Sequence, residues 1–569
     1  QGMITRQLSP GDEHQQNSRK AVVFDEFSSF LNINLTVDEM QHLRNFESRS
    51  RRKLKLPSLG LAMHVVGCRA IQPPVDVILS PSELCWSERL AANVEHTIDT
   101  EYKGTVPEEL SELLSLIGRY IDVCHISPVS SFHRIAYCGH VLNHVMRTRN
   151  LVLANKKKLQ EAAESGSLTD ELIECARDQG FARPTVVILA SLRKDAYDIV
   201  RTFKRLIFGE GWQKNDVLHN GRFEDEFGGT DKNVVDESIP DDLREIRHGN
   251  NDDFFRLTIG LSRRSLKLFV PFEAADILLC SPVALRSMVA EGAGDQHLVS
   301  TIQILIIEKA DILLQQSWEH LPLIMSALHS QPNKISTDVS RVRGWMLEGQ
   351  AAAHCQTLFF SSHRHELFSA LCDSRLNHRG FVSFKPPSEG HLLSIELPLC
   401  QEIRLVTAPS AEEQSDARFL YFKDKVLPEL GEYTAIFIPS YFDYTRIRNF
   451  LKKEGESFVQ CHEYAKSEKI TRARDMFFHG RKKLLLITER FHFFNRYRIK
   501  GIRRLLFYQA PSRPSFYADL INMCQPQGRL HATLLFTLFD KIRLENIFGF
   551  PMGPSIYKSG KAVQVVQSD

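Results

Sequence analysis

Ile304-Leu305-Ile306-Ile307 runs directly into Glu308-Lys309-Ala310-Asp311. An apolar strand that ends in carboxylates can hold a Mg²⁺ ion and polarise a water for attack on a phosphoryl group. In such a box the first acid holds the metal and the second accepts the water's proton. Lys309 stands in the second position, and a cation cannot accept that proton. Phosphoryl transfer also needs a loop that wraps the phosphates with backbone N–H groups, a Lys and a Ser or Thr hydroxyl. The chain has no Gly-Lys-Ser or Gly-Lys-Thr; its one Gly-Lys pair is Gly560-Lys561, followed by Ala562. Glu308 and Asp311 therefore read first as strand-end hydrogen-bonding groups and second as a cation site.

The strongest local signal for binding is basic. Residues 472–504 hold 11 Lys or Arg against Asp475 and Glu489. The cations are Arg472, Arg474, Arg481, Lys482, Lys483, Arg490, Arg496, Arg498, Lys500, Arg503 and Arg504, with Phe491, Phe493, Phe494 and Tyr497 interleaved. Cations neutralise phosphates and aromatic faces stack on unpaired bases, so the segment is a candidate RNA or ribonucleoprotein contact. The competing reading is a solvated face with core aromatics. His140 and His144 have the i, i+4 spacing of two metal ligands on one helix face, but no third ligand accompanies them, which favours packing or capping. Cys280 and Cys355 lie in apolar strands and read as core.

The elements that must position these groups form two α/β blocks. In the first, apolar runs at 186–190, 257–261, 277–281, 301–308 and 356–362 alternate with helical patterns at 195–208 and 318–329. Runs that are apolar nearly throughout suit strands covered on both faces, and the alternation suits parallel βαβ units. The second block has strands at 403–407, 435–439, 458–461, 483–488, 503–508 and 533–536, with helices at 418–430, 443–454, 469–479 and 514–523. The predicted fold is α/β with two tandem RecA-like lobes, a degenerate superfamily 2 helicase core, and a helical N-terminal extension. The predicted organisation is a flexible polar and basic segment 1–60, a mostly helical region 61–180, and lobe one 181–384 with an acidic insertion 210–253. A linker 385–400, lobe two 401–555 and a tail 556–569 complete it. Residues 219–253 carry 11 acidic and 4 basic side chains and read as exposed. Arg49 to Lys55 is a basic run that suits a nuclear signal, an RNA-contacting arm or a solvated tail.

The chain has 569 residues, 43% hydrophobic and 25% charged, with a formal net charge of +2. These figures exclude wholesale disorder and collagen-like or mucin-like classes, and the net charge is too small to indicate a partner. No window reaches eighteen consecutive apolar residues, so no spanning helix and no membrane partner are predicted. The first twenty residues are polar, so no secretory signal is predicted, and the opening Gln1-Gly2 suggests a truncated start. The 11 cysteines are scattered and none forms a CxxC pair, which suits reduced thiols in the cytosol or nucleus and argues against a zinc ribbon.

The order of short motifs resembles that of DEAD-box proteins. Ser191-Leu192-Arg193 through Ala196 and Ser281-Pro282-Val283-Ala284-Leu285-Arg286 resemble RNA-contacting motifs, and Phe360-Ser361-Ser362-His363 resembles the motif that couples the lobes. Lys500-Gly501 and Pro511 through Tyr517 resemble lobe-two motifs, but Asp519-Leu520-Ile521-Asn522-Met523 stands where arginine fingers belong. More specifically, Phe477-Phe478-His479-Gly480-Arg481, Thr488-Glu489-Arg490-Phe491-His492-Phe493 and Arg496-Tyr497-Arg498-Ile499 resemble the digestive-organ-expansion-factor family. So do Ile438 through Asp443, Arg446 through Leu451, Asp338 through Arg343, Trp318-Glu319-His320 and His140 through His144. This is the U-three small nucleolar RNA-associated family, degenerate DEAD-box-like components of the small-subunit processome. The resemblance spans residues 135–555. It implies a nucleolar, non-catalytic helicase-like scaffold in pre-rRNA processing and 18S rRNA and small-subunit biogenesis. It also implies no cofactor, with pre-rRNA, U-three RNA and other processome proteins as partners. A divergent ATP-dependent RNA helicase and a pure protein–protein adaptor remain open as alternatives.

Overall fold

In a computed structural model of the chain, described residues run from 24 to 568, apart from 70, 72–73, 104–106, 210, 212, 214–215, 230–239, 263–264, 291–293, 387, 398 and 526–529. The strands of the first sheet are β1 (Arg51–Leu56), β2 (Gly60–Val66), β3 (Asp122–Ile126), β4 (Val186–Leu189), β5 (Val217–Leu218) and β6 (Arg256–Leu261). They continue with β7 (Leu266–Leu268), β8 (Ile277–Cys280), β9 (Ile304–Ile307), β10 (Gln356–Ser361) and β11 (Gly380–Phe384). Their order is β1-β2-β11-β3-β10-β9-β4-β8-β6-β7-β5. The central run from β11 to β8 is parallel, and the antiparallel pairs β1–β2, β2–β11 and β6–β8 flank it.

The central strands are continuous runs such as Val186-Val187-Ile188-Leu189 and Ile304-Leu305-Ile306-Ile307, buried at every position. One face packs into the larger core with the helix Ser131–Glu164; the other packs with Leu285, Met288, Leu321 and Phe368. That helix has 34 residues, so it is about 51 Å long. It is buried through Val145 and then runs out along the surface.

The second sheet comprises β12 (Leu399–Leu405), β13 (Thr434–Ile438), β14 (Phe458–Cys461), β15 (Leu484–Thr488), β17 (Arg504–Phe507), β19 (His531–Phe536) and β20 (Val563–Ser568). Its order is β14-β15-β13-β17-β19-β12-β20, parallel except for β20. A two-stranded patch pairs β16 (Ile499–Lys500) with β18 (Cys524–Gln525).

Several predicted segments turn out differently. The segment 1–60, read as flexible, contains the helices Glu26–Leu31 and Val37–Arg44, with Phe30 and Leu31 in the core, and its basic run is the edge strand β1. Residues 1–23 lie outside the described residues. Edge cations are a usual feature of strands whose outer backbone groups are unpaired. The region 61–180 is mostly helical as read, through Glu88–Tyr102, Glu108–Gly118, Ser131–Glu164 and Asp170–Cys175, but it also supplies β2 and β3, and β3 is central to lobe one. The insertion 210–253 is not simply exposed: helices Asn220–Phe227 and Asp241–Arg247 bury Phe223, Phe227 and Leu243. The linker 385–400 ends inside β12, and the tail 556–569 continues a helix and adds β20 to the sheet.

The join of β11 to β2 depends on Gly380. Its φ is +95°, and an added Cβ would lie 2.4 Å from the Val65 carbonyl oxygen and 2.7 Å from the Gly67 nitrogen. Gly380→Ala is expected to cost at least about 1–3 kcal/mol. At about 2–4 °C per kcal/mol for a unit of this size, lobe one's unfolding midpoint should fall by several degrees, read by differential scanning calorimetry. An unchanged midpoint would show that the strand shifts freely here.

Candidate functional site

β9 carries Glu308 to the C-terminal edge of the sheet, where its carboxylate is wholly buried. Arg134 donates to Glu308 Oε1 from Nε at 2.9 Å and from Nη2 at 2.6 Å. Tyr137 donates its hydroxyl to Oε2 at 2.8 Å. Arg134 also reaches Asp198 at 2.7 Å and Asp195 at 3.3 Å. Lys309, in the left-handed conformation at φ +51°, pairs with Asp195 at 2.9 Å and Glu245 at 3.1 Å. Burial works against the Arg134 charge, but Glu308, then Tyr137, Asp195 and Asp198, outweigh it and raise its affinity for the proton. Lys309 is held charged in the same way, chiefly by Asp195 and Glu308.

Arg134 lies in the first turn of the helix Ser131–Glu164, directly after β3 and the loop 127–130. This strand–loop–helix step is where a phosphate-wrapping loop would have to sit. Here the loop reads Ser127-Pro128-Val129-Ser130 and has no glycine. Ser127 donates its N–H to the Ser361 carbonyl at 2.8 Å, Pro128 has none, and Ser130 donates to His133 Nδ1 at 3.1 Å. The amides of Ser127 and Ser130 are committed internally, and a guanidinium faces the acid that would have held a metal.

Asp311 takes part in the contact between the lobes. It accepts from Ser362 Oγ at 2.8 Å and Ser362 N at 3.2 Å, and Arg513 of lobe two lies 3.7 Å away. Gln315 donates to Glu489 at 3.0 Å and to Ser512 Oγ at 2.8 Å. Glu489 is buried and accepts from Ser512 N and Arg513 N at 3.1 Å. Arg543 pairs with Glu366 at 2.6 Å, and Arg364 pairs with Glu545 at 3.0 Å. The helix Asp241–Arg247 adds Asp242, which pairs with Arg496 at 2.5 Å and Arg513 at 3.4 Å.

The basic segment does not form one surface. Arg481, Lys482 and Lys483 precede β15, and Arg503 and Arg504 stand at the start of β17. These five therefore lie at the N-terminal edge of the lobe-two strands, where Leu484 and Arg504 both register with Thr434. The joint with lobe one is at the other edge. Arg472 and Arg474 lie on the helix Ser467–Phe478, and Arg474 donates to the Arg498 carbonyl at 2.9 Å while its guanidinium covers Tyr497 at 4.8 Å. Lys483 pairs with Glu456 at 3.7 Å and Arg490 with Glu463 at 3.9 Å. Arg472, Arg481, Arg498, Lys500, Arg503 and Arg504 are exposed.

Arg496 departs from the expected RNA contact. It is buried against Asp242, its guanidinium lies 4.1 Å from the Phe516 ring centre, and burial lowers its proton affinity. Phe491 and Phe493 are core residues, while Phe494 reaches the surface. The two helix histidines are packing groups: His140 bonds Gln356 at 2.9 Å, and His144 bonds the Tyr120 hydroxyl at 2.9 Å. Burial pushes His140 down to about 4, so it is neutral at pH 7. Among the described residues no cluster of His, Cys, Asp or Glu could hold a metal ion.

Sequence reasoning missed Arg134, Tyr137, Asp195 and Asp242. The missing phosphate loop signalled that something else must neutralise Glu308, but no spacing identified which cation.

Residues 120–382 match the UTP25 NTP hydrolase-like domain, and residues 391–564 match the Utp25 C-terminal domain. The chain belongs to the UTP25 family. The human U3 small nucleolar RNA-associated protein 25 homolog is 30% identical over 97% of this chain and 76% of its own length. The Schizosaccharomyces pombe U3 small nucleolar RNA-associated protein 25 is 33% identical over 77% of this chain and 68% of its own. Among solved structures, a DEAD box protein from Methanococcus jannaschii is similar at 11% identity and a TM-score of 0.28, covering 82% of this chain and 96% of that one. In this UTP25 family member the matched domains meet between residues 382 and 391, where lobe one gives way to lobe two.

Breaking the Arg134–Glu308 pair from one side leaves a buried charge uncompensated. Arg134→Met is expected to destabilise lobe one by about 3–5 kcal/mol. Arg134→Met combined with Glu308→Gln should recover a large part of that loss, with a coupling of about 2 kcal/mol in a denaturant-unfolding double-mutant cycle. Additive losses would mean that the two groups do not neutralise each other.

Proposed function

We propose that this chain is a non-catalytic, helicase-like scaffold of small-subunit ribosome assembly, working in the nucleolus on particles that contain U3 small nucleolar RNA and pre-rRNA. The place in assembly is supported by the relatives' names, U3 small nucleolar RNA-associated protein 25 in human and fission yeast and NUCLEOLAR FACTOR 1 in Arabidopsis thaliana. The observation that carries the non-catalytic reading is the Arg134–Glu308 pair. The carboxylate best placed for Mg²⁺ is already neutralised by the protein, and the neighbouring position is Lys309. A bound nucleotide would have to displace a guanidinium held by three carboxylates.

The lobes would then present surfaces to RNA and to assembly proteins without turnover. The exposed cations Arg481, Arg503 and Arg504, on the edge away from the joint, suit phosphate contact. Ring stacking has less support, since the interleaved Phe491 and Phe493 are buried.

The purified chain is expected to hydrolyse no ATP above background, with or without RNA. In cells depleted of the native protein, Glu308→Gln should restore 18S rRNA if it folds. Arg481→Glu with Arg503→Glu should not, and in vitro should weaken binding to a U3 RNA transcript, lowering the salt slope by about 0.7–0.9 per lost contact. RNA-stimulated ATP hydrolysis abolished by Glu308→Gln would overturn the scaffold reading. Unchanged RNA affinity in the double variant would remove this edge as the RNA surface.

A further inference from the structure

A cavity of about 750 Å³ opens on lobe one, away from Glu308 and the lobe joint. One wall is a single face of the long helix: Asn143, Met146, Arg147, Asn150, Leu153, Ala154 and Lys157. These positions span about 21 Å along the axis at 1.5 Å per residue. The opposite wall is the start of the helix Glu88–Tyr102 with Arg89 and Leu90, the end of the helix Arg193–Phe208 with Leu206 and Ile207, and the end of β6 with Leu261.

The lining has three properties. It holds four cations, Arg89, Arg147, Arg149 and Lys157, and no Asp or Glu. Carboxylates outside the lining reach some of them: Asp25 meets Arg147 at 2.7 Å, Asp276 meets Arg149 at 3.1 Å, and Glu161 meets Lys157 at 3.5 Å. Among the described residues Arg89 has no carboxylate partner, and Nη1 of Arg147 is buried without a hydrogen bond. The floor is apolar, with Leu206 and Leu261 buried and Leu153 52% exposed. Asn143 is only 5% exposed, yet its carboxamide has no hydrogen-bond partner among the described residues. The carboxamide lines the cavity and offers one carbonyl acceptor and two N–H donors to a group placed there.

We propose that this cavity is the docking groove for an acidic, amphipathic helical segment of a protein partner. Apolar side chains on one face of that segment fill the floor between Leu153, Leu206 and Leu261. Its carboxylates meet Arg89, Arg147 and Lys157 at the rim, and a polar group pairs with Asn143. This is the helix-in-groove mode, with anchors at i, i+3 or i+4 and i+7. RNA fits the same lining poorly, because the floor is aliphatic and no aromatic ring is present for base stacking. The groove is independent of the scaffold reading, since it uses none of the residues of the joint or of the lobe-two basic edge.

The test is fluorescence anisotropy of the full chain with a labelled helical peptide of about fourteen residues, matched to the groove's length, with leucines on one face and glutamates on the other. Saturable binding is expected. Arg89→Glu with Lys157→Glu, both at solvent-facing positions, should weaken it by about tenfold and reduce its salt dependence. Asn143→Ala should weaken it by a few-fold with far-ultraviolet circular dichroism unchanged. A scrambled peptide of equal composition should bind less tightly, and oligouridine should not displace the peptide. Equal binding of the scrambled peptide, insensitivity to the charge reversal, or displacement by oligouridine would each overturn the proposal, the last in favour of a nucleic-acid ligand.

Discussion

A carboxylate taken out of water must be neutralised, and in this protein that constraint falls on Glu308. Desolvating a lone carboxylate costs far more than the stability of a folded domain. A nucleotide-binding enzyme can leave such an acid for a metal ion; here Arg134 takes its charge, and Tyr137 takes its second oxygen. The guanidinium then needs carboxylates of its own, which Asp195 and Asp198 supply, and Asp195 in turn holds Lys309. Because Arg134 comes from the helix after β3, the loop between them is shaped by these contacts. Two of its amides, those of Ser127 and Ser130, are spent on Ser361 and His133 and are not free for a phosphate.

The same logic extends to the contact between the lobes. Glu489 is buried at the end of β15 and is satisfied by Gln315 from lobe one together with Ser512 and Arg513 from lobe two. Asp242, on the insertion helix, neutralises Arg496 and Arg513. Separating the lobes would exchange the charge-assisted hydrogen bonds that cross the joint for bonds to water, at a net loss of about 1.5–3 kcal/mol each, so the closed arrangement is favoured without any ligand between them.

The parallel strands were legible because they are covered on both faces and read as unbroken apolar runs; Val186–Leu189 and Ile304–Ile307 need no partner information to be recognised. β3 escaped notice because Asp122-Val123-Cys124-His125-Ile126 carries an acid satisfied by residues far along the chain and a histidine paired with His133 of the next helix. The Asp122 carboxylate accepts from Thr357 N and Asn377 Nδ2, both at 2.7 Å. β1 was hidden by charge, since an edge strand keeps its cations in water. Glu308 stands at the end of β9, where the apolar run puts it, but its neutralising partner lies 174 positions away in sequence, beyond the reach of local pattern. The basic cluster was legible as charge, whereas its division between two edges of lobe two depends on strand register. Arg496 looked like its neighbours and became a buried joint residue only because a helix from the other lobe brings Asp242 to it.

The central claim is that the protein's own charges close the lobes, with nothing bound. Its most direct test is single-molecule energy transfer between fluorophores placed at the exposed positions Leu347 on lobe one and Tyr464 on lobe two, with the exposed Cys175 changed to serine. A single high-transfer population that stays in place on adding ATP with Mg²⁺, RNA or both is the expected result. A low-transfer, open population in the free protein that ATP with Mg²⁺ converts to a closed one would contradict it.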